Sequence, residues 1–403
     1  ILIAGQFMSY NYSSILLFSS SLALCDYVRG KILTGFPWNL WGYSLSWFTE
    51  ILQMLNLIGL FAFNLLVITI FTIPIAVFFK SKISKKFLIM SIALSFIFSI
   101  YIYGTGLINK NKKLLENFDN NKKIYIKIIS PNFELKYNSS ITVVEKKLKE
   151  LIRYSNPDAQ TKTLFIWPEG IFTGYNFDEI FQFKELINTK FSKNHIILLG
   201  INTKTKTIGE YYNSLIIINN NFEILHKYNK KKLVPFGEFL PFENFLNKFG
   251  LKKITQGHGS FLNGKIQNNI KIDSLNMLPL ICYEIIFPEL IQKADSATNL
   301  IINISEDGWF GNSIGPQQHF AKVIFRAIEN NSFLARSANK GVTAIINNKG
   351  EVIKKLNVNE TGSIEMDIPL IESKYKNKND LIFFTLLFTY LLIFIIFKNN
   401  EKQ

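Results

Sequence analysis

Long apolar runs lie near the two ends of the chain. Leu57 to Phe79 contains about 20 apolar residues, the length that crosses the hydrocarbon core of a bilayer. Phe87 to Leu107 is a second such run, and Leu381 to Phe397 is a third. A shorter apolar stretch with several serines, Ile15 to Val28, precedes them. This pattern predicts membrane helices on both sides of a central region.

Lysines next to these runs predict their orientation. Four lysines lie between the first long run, which ends at Phe79, and the second, which begins at Phe87, and two more follow the last run. Basic residues beside membrane spans favour the cytoplasmic side, so the region between the runs is expected on the outer side. We therefore divide the chain into membrane helices over 1–107, a soluble domain over 108–380, and a last helix with a short cytoplasmic tail over 381–403. Because the chain begins at Ile1 rather than Met, we also expect the first membrane helices to be missing.

The central region alternates strand and helix patterns. The spacing of Val144, Leu148, Leu151 and Ile152 predicts an amphipathic helix over Thr142 to Tyr154. A second helix is predicted around Phe320 to Ile328 by the same periodicity. Short apolar runs predict strands at Tyr125–Ile129, Leu164–Trp167, Ile196–Leu199, Leu215–Ile218, Met277–Ile281, Leu300–Ile304 and Val342–Ile346. The alternation indicates a layered α/β domain with its functional groups at strand ends.

Composition and charge narrow the possible functions. The net charge is +15, but the lysines are scattered among Asn and Ile rather than grouped in a patch with aromatic residues, which argues against nucleic-acid binding. Basic residues near a membrane surface contribute about 1 kcal/mol each toward anionic lipid. The two cysteines, Cys25 and Cys282, do not indicate a disulfide framework. Neither His226 nor His319 has a partner at metal-ligand spacing, so we expect no metal and no cofactor.

Cys282 is the leading candidate for a nucleophile. It follows the buried strand pattern Met277–Ile281 directly, and Glu284 follows two positions later. A strand end fixes the backbone while the following loop exposes the sulfur, which is where α/β enzymes carry nucleophiles. A lone cysteine is also often a small apolar core residue.

Glu169 and Lys230 would complete such a site. Glu169 follows Trp167-Pro168 at a strand end, and Lys230 begins a run of three lysines. A free thiol has a pKa of about 8.5, so a carboxylate that takes its proton and an ammonium that stabilises the thiolate would activate it. The ammonium would also stabilise an oxyanion formed at a carbonyl. Taken alone, Glu169 could equally be a helix cap or ion-pair partner, and Lys230 a solvated residue.

Several motifs in order resemble the bacterial apolipoprotein N-acyltransferases, a family of the nitrilase or carbon–nitrogen hydrolase superfamily. The resemblance extends from about Leu22 to the last helix. The motifs are Arg29-Gly30 through Gly35-Phe36-Pro37-Trp38 and Gly42-Tyr43, Trp167-Pro168-Glu169, Lys230 with Val234-Pro235-Phe236-Gly237-Glu238, Ile281-Cys282-Tyr283-Glu284, Asp307-Gly308-Trp309-Phe310-Gly311 through Gln318-His319, Arg326-Ala327-Ile328-Glu329, and Arg336-Ser337-Ala338-Asn339-Lys340-Gly341-Val342-Thr343.

The resemblance implies a fold of membrane α-helical segments plus a nitrilase-like α-β-β-α sandwich domain. It implies Cys282 as nucleophile, Glu169 as general base and Lys230 as oxyanion stabiliser, with Glu238, Tyr283 and Glu284 as supporting residues. The implied reaction transfers an acyl chain from a glycerophospholipid, usually phosphatidylethanolamine, to the N-terminal amine of a diacylglyceryl-cysteine lipoprotein through a thioester. The implied enzyme is a monomer of the bacterial inner membrane with its catalytic domain in the periplasm.

Two other interpretations stay open at the level of sequence. A membrane-anchored nitrilase-type amidase acting on a small substrate would share the Glu-Lys-Cys set. A non-catalytic transporter or membrane scaffold would instead carry intramembrane charges along a path, for which Asp26 and Glu50 are the few candidates.

The sequence departs from the family pattern at two positions and suggests one substrate contact. Tyr137 occupies a position where the family usually carries Trp, and Glu306 one where Asn is commoner. We also expect an acyl-chain entrance in the loop after Lys230, lined by Phe236, Phe239, Leu240 and Phe242, although ordinary loop packing would explain the same residues.

Overall fold

The computed structural model describes residues 2–137, 139–242, 260–265, 269–292, 294–373 and 379–400. These residues form two compact units. The helical unit runs to Asn117 and includes the C-terminal helix. The α/β unit begins at Phe118 and continues to the end of the strands, apart from Ile328–Asn330.

The bounds of the elements follow the apolar patterns closely. The helices in chain order are α1 (Leu2–Gly5), α2 (Tyr12–Lys31), α3 (Thr49–Leu52), α4 (Met54–Thr72), α5 (Ile83–Glu116), α6 (Ile141–Ser155), α7 (Phe177–Ile180), α8 (Lys184–Asn188), α9 (Pro288–Gln292), α10 (Gly315–Asn330) and α11 (Asn379–Asn400). The strands are β1 (Lys123–Ser130), β2 (Thr163–Ile166), β3 (His195–Lys204), β4 (Tyr211–Ile218), β5 (Ile224–Asn229), β6 (Ile270–Ile272), β7 (Leu275–Ile281), β8 (Leu300–Glu306), β9 (Phe333–Asn339), β10 (Thr343–Ile346), β11 (Val352–Leu356) and β12 (Gly362–Pro369). Short 3-10 helices are at Trp41–Leu45, Ile73–Phe78, Asn120–Lys122, Phe181–Phe183, Cys282–Ile286 and Asp307–Phe310.

Among the described residues, three helical segments are long and apolar enough to cross a membrane. They are Met54–Phe78, Ile83–Glu116 and Asn379–Lys398, and they contain the three long apolar runs predicted from the sequence, except for Phe79 at the end of the first run. The predicted segment Ile15 to Val28 does form a helix, α2, but α2 is not among these three. Its serines and its charged residues Asp26 and Arg29 lower its apolar character.

A buried polar network joins α2 to α4 inside the helical unit. Asp26 accepts hydrogen bonds from Arg29 at 2.8 Å and from Asn64 Nδ2 at 2.9 Å. Asn64 Oδ1 in turn accepts from the main-chain N–H of Gly42 at 3.0 Å. A charge in such surroundings is tolerated when it is paired and hydrogen-bonded. The network therefore holds the 3-10 helix Trp41–Leu45, which contains Gly42, against α4.

The close approach of α4 and α11 depends on one glycine. Gly59 in α4 has φ +74°, and a Cβ placed there would lie 2.3 Å from the side chain of Asn379. Nearby, Tyr27 of α2 stacks on Phe383 of α11 with ring centroids 4.8 Å apart. Larger residues at position 59 would force these helices apart.

The α/β unit contains two six-stranded sheets in the part of the chain that the structure describes. Their strand orders are β12-β1-β2-β3-β4-β5 and β11-β10-β9-β8-β7-β6. Strands β1 to β3 are parallel in the first sheet and β7 to β9 in the second, and the outer strands pair antiparallel. The sheets face each other, since Ser337 Oγ on β9 donates to the Ile129 carbonyl on β1 at 2.7 Å.

Helices cover the sheets on their other faces. The apolar side of α6, including Val144, Leu148 and Leu151, is buried in one cluster with Phe165 and Ile197 of the first sheet. Each fully buried side chain of this size stabilises the fold by roughly 1.5–3 kcal/mol. On the second sheet, α10 contributes buried side chains that reach the segment after β7. The α-β-β-α prediction for this region is therefore confirmed.

Candidate active site

The three predicted catalytic side chains come from the ends of three strands in the two sheets. Glu169 lies shortly after β2, Lys230 directly follows β5, and Cys282 directly follows β7. The Lys230 ammonium lies 3.2 Å from Glu169 Oε1, and the Cys282 thiol interacts electrostatically with both groups. The structure thus brings together residues that are 52 or more positions apart in the chain.

Lys230 is almost completely buried between two carboxylates. Its Nζ donates to Glu169 Oε1 at 3.2 Å and to Glu238 Oε1 at 2.9 Å, with the lysine side chain 1% exposed. Burial opposes the ammonium charge, but the Glu169 and Glu238 carboxylates outweigh it and hold the pKa of Lys230 above its ordinary value. Lys230 therefore carries a fixed positive charge in the site. The solvated-lysine interpretation does not apply to it.

Asn213 holds the two carboxylates in place, and no sequence pattern singled it out. Its Nδ2 donates to Glu169 Oε1 and to Glu238 Oε1, each at 2.7 Å. Its main-chain carbonyl accepts from the Lys230 N–H at 2.8 Å. Because β4 carries Asn213 and pairs with β5, the strand ladder itself aligns this amide with Lys230.

Glu169 approaches the second sheet closely. Its Oε2 accepts the main-chain N–H of Glu306 at 3.1 Å. A Cβ at Gly200 on β3 would lie 2.7 Å from the Glu169 Cα and 2.9 Å from Ile304 Cδ1. Only glycine at position 200 leaves room for the main chain at Glu169, so Gly200 helps to position the Glu169 carboxylate.

The Cys282 thiol is partly buried, on a residue with φ +48°. Burial raises the pKa of the thiol, the Glu169 carboxylate raises it further, and the Lys230 ammonium opposes both. The resting sulfur is therefore protonated, and a thiolate forms only when a base removes its proton.

The three predicted supporting residues have different surroundings. The Glu238 carboxylate contacts Lys230 and also accepts the N–H of Val234 at 2.8 Å. The Tyr283 ring packs edge-on against Phe287 with centroids 5.0 Å apart, and burial raises the pKa of its hydroxyl. Glu238 therefore belongs to the charged centre, whereas Tyr283 lies at its apolar border.

Glu284 is a tether rather than a partner of the thiol. Its Oε1 accepts from Tyr228 at 2.8 Å and from the N–H groups of Lys231 and Lys232 at 2.6 and 3.1 Å. Its Oε2 accepts the Ile281 N–H at 2.8 Å. The fully buried carboxylate thereby joins the strand before Cys282 to the segment after Lys230.

Both departures from the family pattern lie beside the carboxylates. The Tyr137 ring lies 6.1 Å from the Trp309 ring, and burial together with the charges of Glu306, Glu169 and Glu238 raises the pKa of its hydroxyl. The Glu306 side chain is buried and accepts from Gly308 and Asn339. Burial raises the pKa of Glu306 to about 8, against the effect of these two hydrogen bonds.

The geometry fits attack of a cysteine on a carbonyl carbon. A carboxylate and a fixed cation lie in contact, and the charges of both act on the ionisation of the Cys282 thiol. Such a cation can stabilise the oxyanion of a tetrahedral intermediate. Among the described residues, no group of three or more His, Cys, Asp and Glu side chains could hold a metal ion.

Fold and site together define an enzyme of the carbon–nitrogen hydrolase class, and residues 139–374 match the family model described as Carbon-nitrogen hydrolase. Residues 1–73 match a second model, described as Apolipoprotein N-acyltransferase N-terminal domain. The chain belongs to the apolipoprotein N-acyltransferase family, as its motifs predicted.

Two relatives illustrate the match. The chain is 32% identical to the apolipoprotein N-acyltransferase of Rhodopseudomonas palustris over 373 residues, which is 88% of this chain and 68% of the relative. It is 34% identical to that of Rickettsia typhi over 396 residues, 94% of this chain and 77% of the relative. Among solved structures, a carbon-nitrogen hydrolase from Helicobacter pylori superposes with a TM-score of 0.46 at 15% identity, covering 67% of this chain and 94% of that one.

Proposed function

We propose that this protein transfers a fatty acyl chain from a glycerophospholipid to the N-terminal amine of a diacylglyceryl-cysteine lipoprotein, through a thioester on Cys282. The observation that carries the proposal is the buried Lys230 ammonium, held between Glu169 and Glu238, whose charge favours the thiolate of Cys282. The donor we expect is phosphatidylethanolamine, and the protein we expect is a monomer. Three apolar helices agree with a protein that works on lipids in a membrane.

In the first half-reaction, Glu169 takes the thiol proton and the sulfur of Cys282 attacks the ester carbonyl of the phospholipid. Lys230 stabilises the oxyanion of the tetrahedral intermediate. The intermediate collapses by breaking the bond to the glycerol oxygen, and Glu169 returns its proton to that oxygen. The products are a lysophospholipid and an acyl thioester. Glu238, at 2.9 Å from the lysine, keeps the ammonium aimed during this step.

In the second half-reaction, the lipoprotein amine attacks the thioester carbonyl. Glu169 takes a proton from the amine, Lys230 again stabilises the oxyanion, and the sulfur leaves as an amide bond forms. The proton on Glu169 then returns to the thiolate. Because the thiol pKa is raised in the resting site, the free enzyme ends in its protonated form.

We propose that the helices span the bacterial inner membrane and that residues 108–380 act on its periplasmic side as the catalytic domain. The support is the placement of the basic residues. Lys80 and Lys82 lie between two candidate spans, Lys85 and Lys86 lie in the first turn of the second of these spans, and Lys398 ends the last one. Clustered lysines at these positions favour a cytoplasmic location for both sites.

The loop after Lys230 offers apolar side chains to an acyl chain. Phe236 and Phe242 are 44% and 71% exposed, and both residues have positive φ. Leu240 is buried, so it supports the loop rather than lining an open entrance. The Phe236 N–H donates to the Phe239 carbonyl at 2.8 Å, which gives the loop a defined shape.

Replacing Phe236 and Phe242 together with Asp should lower the rate of acyl transfer from phospholipid by about 10-fold, because each aspartate opposes contact with a hydrocarbon chain. The measurement is the initial rate with a labelled phospholipid in detergent micelles. Ile208→Asp serves as control, since Ile208 is a fully exposed apolar residue outside this loop. A double variant as fast as the Ile208→Asp protein would remove the loop from the acyl path.

The reaction itself is tested with the full chain, a phospholipid labelled in its acyl chain, and a synthetic diacylglyceryl-cysteine peptide. We expect the label first on the protein as a hydroxylamine-sensitive adduct, and then on the peptide amine when the peptide is added. Cys282→Ser should form no thioester, and Cys25→Ser should behave like the wild type. If ammonia is released from small amides while no acyl label reaches Cys282, the amidase interpretation replaces this one.

A further inference from the structure

A second charged cluster lies buried behind the nucleophile. Asp307, His319 and Arg336 are each no more than 1% exposed. Asp307 Oδ1 lies 2.9 Å from His319 Nδ1, and Asp307 Oδ2 accepts from Arg336 at 2.7 Å. The two half-reactions proposed above use none of these residues. The three come from the end of β8, from α10 and from β9, so only the folded domain brings them together.

This cluster holds the main chain on both sides of the nucleophile. His319 Nε2 lies 3.2 Å from the Cys282 carbonyl, which only accepts, so this contact is a hydrogen bond when Nε2 carries a proton. The other ring nitrogen, Nδ1, lies 2.9 Å from Asp307 Oδ1 and 3.2 Å from Arg336 Nη2, so it faces one acceptor and one donor. One residue before the strand ends, the Leu280 carbonyl accepts from Asn303 at 3.1 Å. Asn303 Oδ1 in turn accepts from Arg336. One connected network of hydrogen bonds therefore holds the carbonyls of Leu280 and Cys282, which lie on either side of the Ile281–Cys282 peptide.

The backbone conformation of Cys282 requires support from the residues around it. Its φ of +48° lies in the left-handed region, which a residue with a Cβ seldom adopts unless its surroundings enforce it. This conformation sets the direction in which the thiol leaves the strand end. A rotation of the Cys282 peptide would move the sulfur relative to Glu169 and Lys230.

The network also reaches the sulfur. The Ser305 hydroxyl donates to Asp307 Oδ1 at 2.7 Å and interacts with the Cys282 thiol. The Asp307 charge disfavours a thiolate, and the Arg336 guanidinium beside it compensates part of that charge. The cluster is thus placed to act on both the position and the ionisation of the nucleophile.

We infer that His319 is a positioning residue for the acyl transfer: its Nε2–H, held by Asp307 and Arg336, fixes the Cys282 carbonyl and thereby the direction of the thiol. This inference takes the reaction, acyl transfer, from the proposed function, whereas the contacts of His319 do not depend on that proposal. The sulfur can be probed without any lipid, so the two can fail separately.

Two substitutions separate the two contacts of the ring. His319→Gln places an amide nitrogen near the position of Nε2 and keeps a donor for the Cys282 carbonyl. His319→Asn reaches only to the position of Nδ1, keeps a partner for Asp307, and loses the contact with Cys282. We expect His319→Asn to slow thioester formation by about 10- to 100-fold, with little change in the apparent KM for phospholipid, and His319→Gln to recover most of the rate.

The matched control is His195→Asn. His195 is another buried histidine of the same unit. Its ring hydrogen-bonds to the Ser192 N–H and the Asp158 carbonyl and packs edge-on against Phe165 and Phe191. We expect its loss to lower the thermal midpoint while the acylation rate per folded molecule stays unchanged. Should His319→Asn fail to fold, His319→Phe fills the ring volume without a donor, and the same slowing is expected from it.

The lipid-independent readout is the rate of Cys282 alkylation by iodoacetamide as a function of pH, in a Cys25→Ser background. A displaced pH profile in His319→Asn, restored in His319→Gln, supports the inference even if no phospholipid acylates the protein. Identical alkylation profiles and acylation rates in wild type, His319→Asn and His319→Gln, with only the thermal midpoint lowered, would overturn it.

Discussion

Lys230→Met should abolish detectable acyl-enzyme formation, a loss of about 1,000-fold or more. Methionine keeps much of the volume of lysine but supplies no charge to an oxyanion, and a preorganised charge in such a site contributes about 3–4 kcal/mol to the transition state. The same change removes the cation between Glu169 and Glu238, which lie 3.2 and 2.9 Å from it. Two buried carboxylates then face each other, so we also expect destabilisation of about 3–5 kcal/mol.

A double variant separates the two effects. Lys230→Met with Glu238→Gln leaves a single carboxylate at the centre, so it should regain much of the lost thermal stability while acylation stays absent. Lys231→Met is the control, because the neighbouring lysine is half-buried and lies outside this pair of carboxylates. The measurements are label transfer from phospholipid and the thermal midpoint of the full chain in detergent. Acylation at the wild-type rate in either Lys230 variant would exclude Lys230 as the oxyanion stabiliser.

Glu306→Gln should flatten the fall of stability with rising pH. The unfolded carboxyl releases its proton near 4.5, whereas burial raises the pKa of the folded group to about 8. Between these values the folded state holds one proton more than the unfolded state, so stability falls as pH rises through this interval. Each pH unit corresponds to about 1.4 kcal/mol, so the difference from pH 5 to pH 8 is on the order of 4 kcal/mol. Gln keeps the shape of the protonated acid and carries no charge at any pH.

Several charged groups around Glu306 also affect its ionisation. Glu169 and Asp307 raise its pKa by repulsion, and Lys147 on α6 is electrostatically coupled to it. The experiment compares thermal midpoints of wild type and Glu306→Gln from about pH 5 to pH 8, so that other titrations common to both proteins cancel. Glu145→Gln on the exposed side of α6 is the matched control. Parallel curves for wild type and Glu306→Gln would mean that Glu306 is ionised over the whole range.

Local apolar patterns predicted the strands that end at the site with good accuracy. The run Leu164–Trp167 became β2, Thr163–Ile166, and Met277–Ile281 lies within β7, Leu275–Ile281. These strands are buried on both faces, so nearly every side chain in them is apolar and the signal is continuous. Two of the three predicted catalytic residues could be placed at strand ends for this reason.

Strands with polar side chains were missed. β5 reads Ile-Leu-His-Lys-Tyr-Asn, and its residues are mostly half-buried or exposed, so nothing marked the strand that delivers Lys230. β9 is fully buried but contains Arg336, Ser337 and Asn339, whose side chains are satisfied by partners on other elements. These polar side chains belong to a buried hydrogen-bonded network. The periodicity of the sequence cannot distinguish such buried polar residues from exposed ones.

The sequence alone determined the apolar runs, the α/β alternation and the family, and it predicted the Glu-Lys-Cys set, because apolar periodicity and short motifs are local properties of the chain. The tertiary structure alone decided that Asn213 joins Glu169 to Glu238, that Glu284 connects two segments, and that His319 lies against the Cys282 carbonyl. Each of these contacts joins residues of different strands or helices. Their partners depend on strand order and register, and those follow from the packing of the whole domain rather than from any single stretch of it.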